Sequence, residues 1–418
     1  MGTVDAHRKS ATRRSGRALV AVVREKRFPL GASLRLAELE RYDNAALLHR
    51  LREREPVTWF AEQGVWLVTS KMLVDVVQMD PERFVVEIAD NPQRVVLGRM
   101  MLVVDGAEHD RHRAPFADPF RHSAVKNRFT SVVGDNVQRL LGAIEDAGTT
   151  ELATAFANPF AVSVASDVLG LGLEHIDEVH DIYSDFAEGL VGYQDPVAVE
   201  RARRASARLQ DFLMPTVERL RSAPDGSTLA AVLHSDHAAL RDDGELLANL
   251  RVILFGAIET VESMILNTTW ALLHHPEQRR LLEDDPALWP AAVQEGLRWL
   301  PPVGYTDRWA AEDTDLGGVT ISRGDYVIPV IHAANRDPAV FADADRFDVR
   351  RGDNRQNLSF GKGIHMCLGV NLARLQGSIA LRCLFERLPG LRLDPARPSE
   401  PVGFNFRRPP HLYVCWDT

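Results

Sequence analysis

The stretch Ser359–Arg374, SFGKGIHMCLGVNLAR, decides how this chain reads. It sets one of only three cysteines, Cys367, in a glycine-rich turn, with His365 two residues ahead. An isolated free cysteine is most often a small buried hydrophobe. Here Gly361, Gly363 and Gly369 permit backbone turns and the close approach of something flat and bulky. The run LGVNLARLQGSIALRCLF then takes helical period, so a helix is expected to begin at or just after Cys367. Its positive end would lower the thiol pKa and hold a thiolate.

Working outward, the composition limits what such a site can belong to. The chain has 418 residues, of which 45% are apolar, enough for a large core. A formal net charge of −9 argues against a general nucleic-acid binder, which needs a basic face. The other cysteines, Cys383 and Cys415, make an odd, sparse set with no CxxC pair. That excludes a disulfide framework and structural zinc, and fits a reducing, cytoplasmic compartment. Residues 1–30 are basic, and their one apolar run, ALVAVV at 18–23, is too short for a signal sequence or a span. They are expected to form a flexible basic arm, with 31–418 as a single domain. No segment offers the roughly 20 apolar residues needed to cross a bilayer.

The periodicities predict a mainly α fold with small β-sheets at its margins. VTWF (57–60) and VWLVTS (65–70) read as a hairpin around Gly64, and KMLVDVVQM as a helix ending at Asp80-Pro81. From about 108 to 300 the pattern is helical. After Pro301-Pro302 it alternates like strands, and LYVCW near the end is another short strand. The longest helical pattern runs from Leu246 to His275 and is apolar nearly all round, as a core helix should be. Its polar interruption, Gly256-Ala257-Ile258-Glu259-Thr260, is therefore informative.

A shielded thiolate is one of the axial ligands of haem iron. Phe360-Gly361-Lys362-Gly363-Ile364-His365-Met366-Cys367-Leu368-Gly369 resembles the haem-binding loop of the cytochrome P450 monooxygenases, matching Phe-x-x-Gly-x-His-x-Cys-x-Gly without a gap. The resemblance extends through residues 40–418. It implies the P450 fold, a long central helix over the haem, and haem b held by Cys367, with Phe360, Gly361 and Gly369 shaping the loop. Glu295 and Arg298, just before Pro301-Pro302, resemble the family's Glu-x-x-Arg pair. With Arg350, at the end of NRDPAVFADADRFDVRR, they are expected to form a buried supporting network.

By the same resemblance the helix opens at Gly256–Thr260, with Ala257 where a second glycine is commoner. Thr260 and Glu259 are the expected acid–alcohol pair that delivers protons to bound dioxygen. His109, Arg113, Arg308 and His365 match the family's partners for the two haem propionates. The segment Phe186–Tyr193 and residues Val85, Met101, Phe255, Ile258, Val303 and Phe404 would line a largely apolar pocket, so the substrate is expected to be a small hydrophobic molecule. The residues after Cys367 are too few for a reductase domain, so electrons are expected from a separate ferredoxin-type donor with its reductase. Arg111, His112 and Lys362 could present positive charge to it. No membrane or nucleic-acid partner is expected, and no oligomer is required. The reading is an oxygen-activating monooxygenase. The alternatives are oxidative coupling or desaturation on the same scaffold, or a haem-thiolate protein that binds or senses a ligand without turnover.

Overall fold

In the computed structural model, residues 21–89, 91–191, 195–235, 240 and 242–418 are described. The two β-forming runs near the start form the expected hairpin. Strand β1 (Val57–Phe60) lies antiparallel to β2 (Val65–Val68), with Val57 opposite Val68 and Gly64 in the left-handed region at φ 66° between them. Every residue of both strands is buried, because the sheet is packed on both faces. Val57, Trp59, Trp66 and Val68 join one apolar cluster, while Phe60, Val65 and Leu67 join another.

The sheet grows by pairings distant in sequence. Beyond β3 (Phe84–Val85) and β4 (Thr149–Glu151), the chain enters its second β region through β5 (Arg308–Ala310). There β6 (Thr314–Leu316) and β7 (Val319–Ile321) make a tight hairpin at Gly317-Gly318, both with positive φ, followed by β8 (Tyr326–Pro329). The five-stranded sheet runs β1-β2-β8-β5-β3, with β2 and β8 parallel and its other pairs antiparallel. The short strand expected near the end is β10 (Tyr413–Cys415), which lies between β4 and β9 (Arg392–Leu393).

The helical body comprises α1 (Gly106–Ala117), α2 (His122–Gly142), α3 (Asn158–Val168), α4 (Ile176–Val191), α5 (Pro196–Ser222), α6 (Asp243–His274), α7 (Trp289–Trp299) and α8 (Val370–Arg387), besides shorter pieces. The central helix α6 has 32 residues, about 48 Å of rod. It starts three residues before the apolar pattern because Asp242 caps it, accepting the Glu245 N–H at 2.9 Å. Helices α3, α4, α7 and α8 pack against it. Among the described residues, no helix is long and apolar enough to cross a membrane.

The expected arm, 1–30, includes residues that the structure places in the folded body. Residues 1–20 lie outside the described part, but 21–27 are helical. Arg24 lies over the Trp59 and Trp66 rings, at 4.5 and 5.0 Å, and ion-pairs with Asp325 at 2.5 Å. Residues 21–30 therefore belong to the folded body. A basic segment reads as an arm until its acidic and aromatic partners, supplied by distant strands, are known.

Candidate functional site

The loop before α8 is shaped by glycine where no other residue fits. Gly361 and Gly363 have φ of 66° and 74°. A Cβ on Gly363 would lie 2.4 Å from the Gln78 carbonyl oxygen, so the loop passes directly against the helix at Lys71–Met79. The Cys367 N–H donates to the Phe360 carbonyl at 2.8 Å and closes the turn. Helix α8 then begins at Val370, slightly later than expected, with Gly369 as its cap.

A buried ionic network braces this loop from behind. Glu295 and Arg298 on α7 have no solvent exposure and form a two-bond pair, at 2.7 and 2.8 Å. Arg298 also donates to the carbonyls of Asn335, Ala344 and Arg346. The Asn335 side chain donates to Ser359 Oγ at 2.9 Å, and Ser359 Oγ donates to the Leu297 carbonyl at 2.7 Å. Arg350 is not the third member. It is exposed, and Arg351 instead approaches Glu295 at 3.3 Å. Val349 is buried, so its neighbour Arg350 faces outward and Arg351 returns inward. Two adjacent arginines look alike until that alternation is known.

Cys367 and the central helix meet on one cavity of about 370 Å³. Phe360, Gly361, His365, Cys367 and Gly369 line it, and Arg113 and Arg308 bring two cations to it. His109 stands behind, its ring edge-on to His365 at 4.7 Å. Its Nε2 is buried and has no hydrogen-bond partner among the described residues. The His365 Nε2 is 3.0 Å from Asp105, and Arg113 donates to the Met366 carbonyl at 2.7 Å.

The electrostatics of these groups define what the cavity lacks. Burial is the main cause that pushes down the pKa of His109, Arg113, Arg308 and His365, although Asp105 pulls His365 the other way. Burial also pushes the Cys367 thiol up, against the Gly369 N–H and the charges of Arg113 and Arg374. The expected lowering by the helix start, even with these two cations, thus loses to desolvation. A group that brings a cation to the thiolate and two carboxylates to the basic cluster meets both demands. These residues fit haem.

From the helical wall, Gly256, Ala257 and Thr260 line the cavity. A Cβ on Gly256 would meet nothing within 4 Å, so the backbone is open to the space there. The helix is continuous across this stretch, contrary to the expected opening. Thr260 Oγ1 donates to the Gly256 carbonyl at 2.6 Å, a local bond that is compatible with unbroken helix. Glu259 turns away. It accepts from the Tyr183 hydroxyl and lies 3.6 Å from Arg408, which also pairs with Glu262. Neither Tyr183 nor Arg408 was singled out in the sequence, since nothing local marks residues from α4 and the C-terminal segment as partners of α6.

Of the expected substrate residues, Met101, Phe255 and Val303 line the cavity, and Phe406 joins them unannounced. Val85, Ile258 and Phe404 do not. Val85 is paired with Trp309 in the sheet, Ile258 faces the core behind α6, and Phe404 packs on Tyr305. Of the stretch 186–193, Phe186 is a core residue, and residues 192–193 lie outside the described part. Arg111 and His112 present no free charge: Arg111 is bonded to Glu245 and Glu108, and His112 is buried against Asn249. Lys362 lies 3.3 Å from Asp75.

Comparison with known proteins agrees with this geometry. A family model for cytochrome P450 matches residues 287–404. The chain is 34% identical over 366 residues to 6-deoxyerythronolide B hydroxylase of Saccharopolyspora erythraea, covering 82% of this chain and 88% of that one. To cytochrome P450 107B1 of the same organism it is 34% identical over 302 residues, covering 71% and 72%. A solved structure of P450BioI in complex with hexadec-9Z-enoic acid ligated acyl carrier protein matches with a TM-score of 0.82 at 27% identity, covering 90% of this chain and 99% of that one. The protein belongs to the cytochrome P450 family. It is a haem-thiolate monooxygenase, an oxidoreductase whose haem takes a cysteine thiolate as axial ligand. Cys383 and Cys415 do not line the cavity, the first lying near Gln138 and the second near Thr149.

Proposed function

We propose that Cys367 supplies the axial thiolate and that the protein inserts oxygen into a small, largely hydrophobic substrate, with electrons from a separate ferredoxin-type donor. The observation that carries this is the convergence of the Cys367 thiol and the Thr260 hydroxyl on one cavity from two different walls. Bound haem supplies redox-active iron and, with it, the cleavage of dioxygen. Arg113, Arg308 and His365, with His109 behind them, would hold its two carboxylates with charge-assisted hydrogen bonds. Thr306, two residues before Arg308, also lines the cavity; its buried hydroxyl has no partner among the described residues and would add a donor there.

Thr260 is the delivery end of the proton path, since its hydroxyl can release the Gly256 carbonyl and donate into the cavity. Glu259 is the reservoir end. Tyr183 and Arg408 hold its carboxylate behind the cavity wall. Apolar residues such as Leu97, Met101, Val252 and Phe255 exclude water and favour an apolar substrate.

The test is the absorption spectrum of reduced protein under carbon monoxide, for wild type and Cys367→Ala. The wild type should show the strongly red-shifted Soret band of a thiolate-ligated ferrous haem, and the variant should lose it. A band typical of histidine ligation, or one that survives the substitution, would refute the assignment.

A further inference from the structure

We propose that Asn405 is a specificity-determining residue, whose side-chain amide holds a hydroxyl or carbonyl group of an otherwise apolar substrate. The proposal rests on the reading of the cavity as the substrate chamber of a haem monooxygenase. Asn405 lines the cavity, and its Oδ1 is buried without a partner among the described residues.

Its backbone is held firmly. Gly403 has φ of 107°, and a Cβ there would lie 2.0 Å from the Phe406 carbonyl oxygen. The Gly304 N–H donates to the Asn405 carbonyl at 2.6 Å, and the Arg407 N–H donates to the Pro302 carbonyl at 2.9 Å. The buried Arg407 guanidinium donates to the Gly403 carbonyl at 2.7 Å, and Val303 bridges to Phe406. The turn thus presents Asn405 on a rigid mount, which is what a recognition group requires.

The surroundings of Asn405 are apolar. Val303 flanks it, and the Phe406 ring meets Phe255 edge-on at 5.4 Å. Several other polar side chains on the cavity are already engaged. Gln93 donates to Asp307 at 3.1 Å, and the Asn91 amide donates to the Val86 carbonyl at 3.0 Å. Thr306 stands two residues before Arg308. Gln78 and Gln376, whose amides also have buried atoms without a partner among the described residues, come instead from the two helices that flank the cysteine loop. A buried amide oxygen without a partner is a standing cost, relieved when a ligand hydroxyl completes it. The amide offers both donor and acceptor and carries no charge, so it selects hydroxyl or carbonyl oxygen rather than an ion.

The test uses the haem-loaded full chain and two series of azoles, 1-alkylimidazoles of 8 to 12 carbons and the same compounds with a terminal hydroxyl. Soret shifts report binding through the iron. At one chain length the hydroxyl should tighten binding about tenfold, equal to about 1.4 kcal/mol. Asn405→Leu should abolish that gain while binding the plain alkylimidazole at least as well as wild type. Asn405→Ala, which needs no repacking of a larger side chain, should also abolish it. A hydroxyl gain at no chain length, a gain that survives both substitutions, or a haem protein that binds none of the azoles would each overturn the proposal. Failure of the underlying reading looks different: the protein would then carry no thiolate-ligated haem, seen from its carbon monoxide spectrum before any azole is added.

Discussion

Replacing Arg351 and Arg350 one at a time by alanine separates two arginines that the sequence cannot. The Arg351 side chain is 6% exposed and lies 3.3 Å from the fully buried Glu295. It also donates to the carbonyls of Ala342, Asp343 and Arg346, the last two at 3.1 and 2.9 Å. Hydrogen bonds to charged groups contribute about 1.5–3 kcal/mol each, and those sharing one guanidinium are not additive. Glu295 keeps Arg298 as a partner, so the loss stays below the 3–5 kcal/mol expected when a buried charge is left alone. Arg351→Ala should therefore cost about 2–3 kcal/mol, a shift of about 30- to 160-fold in the unfolding equilibrium. Arg350→Ala, at an exposed site, should stay within about 0.5 kcal/mol. The assay is urea denaturation of the haem-loaded protein, followed by far-ultraviolet circular dichroism and by the Soret band. Because the network reaches Ser359 through Asn335, the Soret transition should move at least as far as the circular dichroism. Equal shifts for the two variants, or a larger one for Arg350→Ala, would refute the assignment.

Thr260→Ala removes the hydroxyl that faces the cavity and should lower coupled product formation about 100-fold or more, with peroxide released in its place; assay of peroxide against reductant consumed measures this. Gly363→Ala combines a left-handed φ with a contact of 2.4 Å on a backbone oxygen, so it should express with strongly reduced haem content; normal haem loading would contradict the tight passage against Gln78. His332 is buried beside Arg52, Arg336 and Arg407, and desolvation with these charges holds its pKa well below the usual histidine range. Its folded pKa is depressed, so its stability contribution is complete above about pH 6.5 and is lost as pH falls, costing about 1.3 kcal/mol between pH 7 and 5.5. Denaturation midpoints for wild type and His332→Leu over that range should converge at low pH, and parallel slopes would exclude the effect.

The cysteine loop and the Glu295–Arg298 pair were legible because each is local: the residues that shape the function stand within ten positions of one another. The same holds for Gly256–Thr260, whose residue types declare a helix wall open to a cavity. Glu259 shows where such reading stops. Its residue type suits the proposed proton carrier, but its orientation is set by Tyr183 and Arg408, brought from opposite parts of the chain. The substrate wall divides in the same way. Met101, Phe255 and Val303 reach the cavity, whereas Ile258, three residues along the same helix from Phe255, faces the core.

By itself, the sequence determined the family, the glycine-rich cysteine loop, the central helix and the cluster proposed to receive the haem carboxylates. These depend on residue type at fixed spacing, which backbone geometry converts directly into shared faces and turns. Only the tertiary structure decided which arginine braces Glu295, that residues 21–30 join the body, and that Asn405 lines the cavity with its amide oxygen unpartnered among the described residues. Each of those depends on a partner supplied by a distant segment, and burial, which determines whether a polar group needs a partner, exists only once the segments have packed.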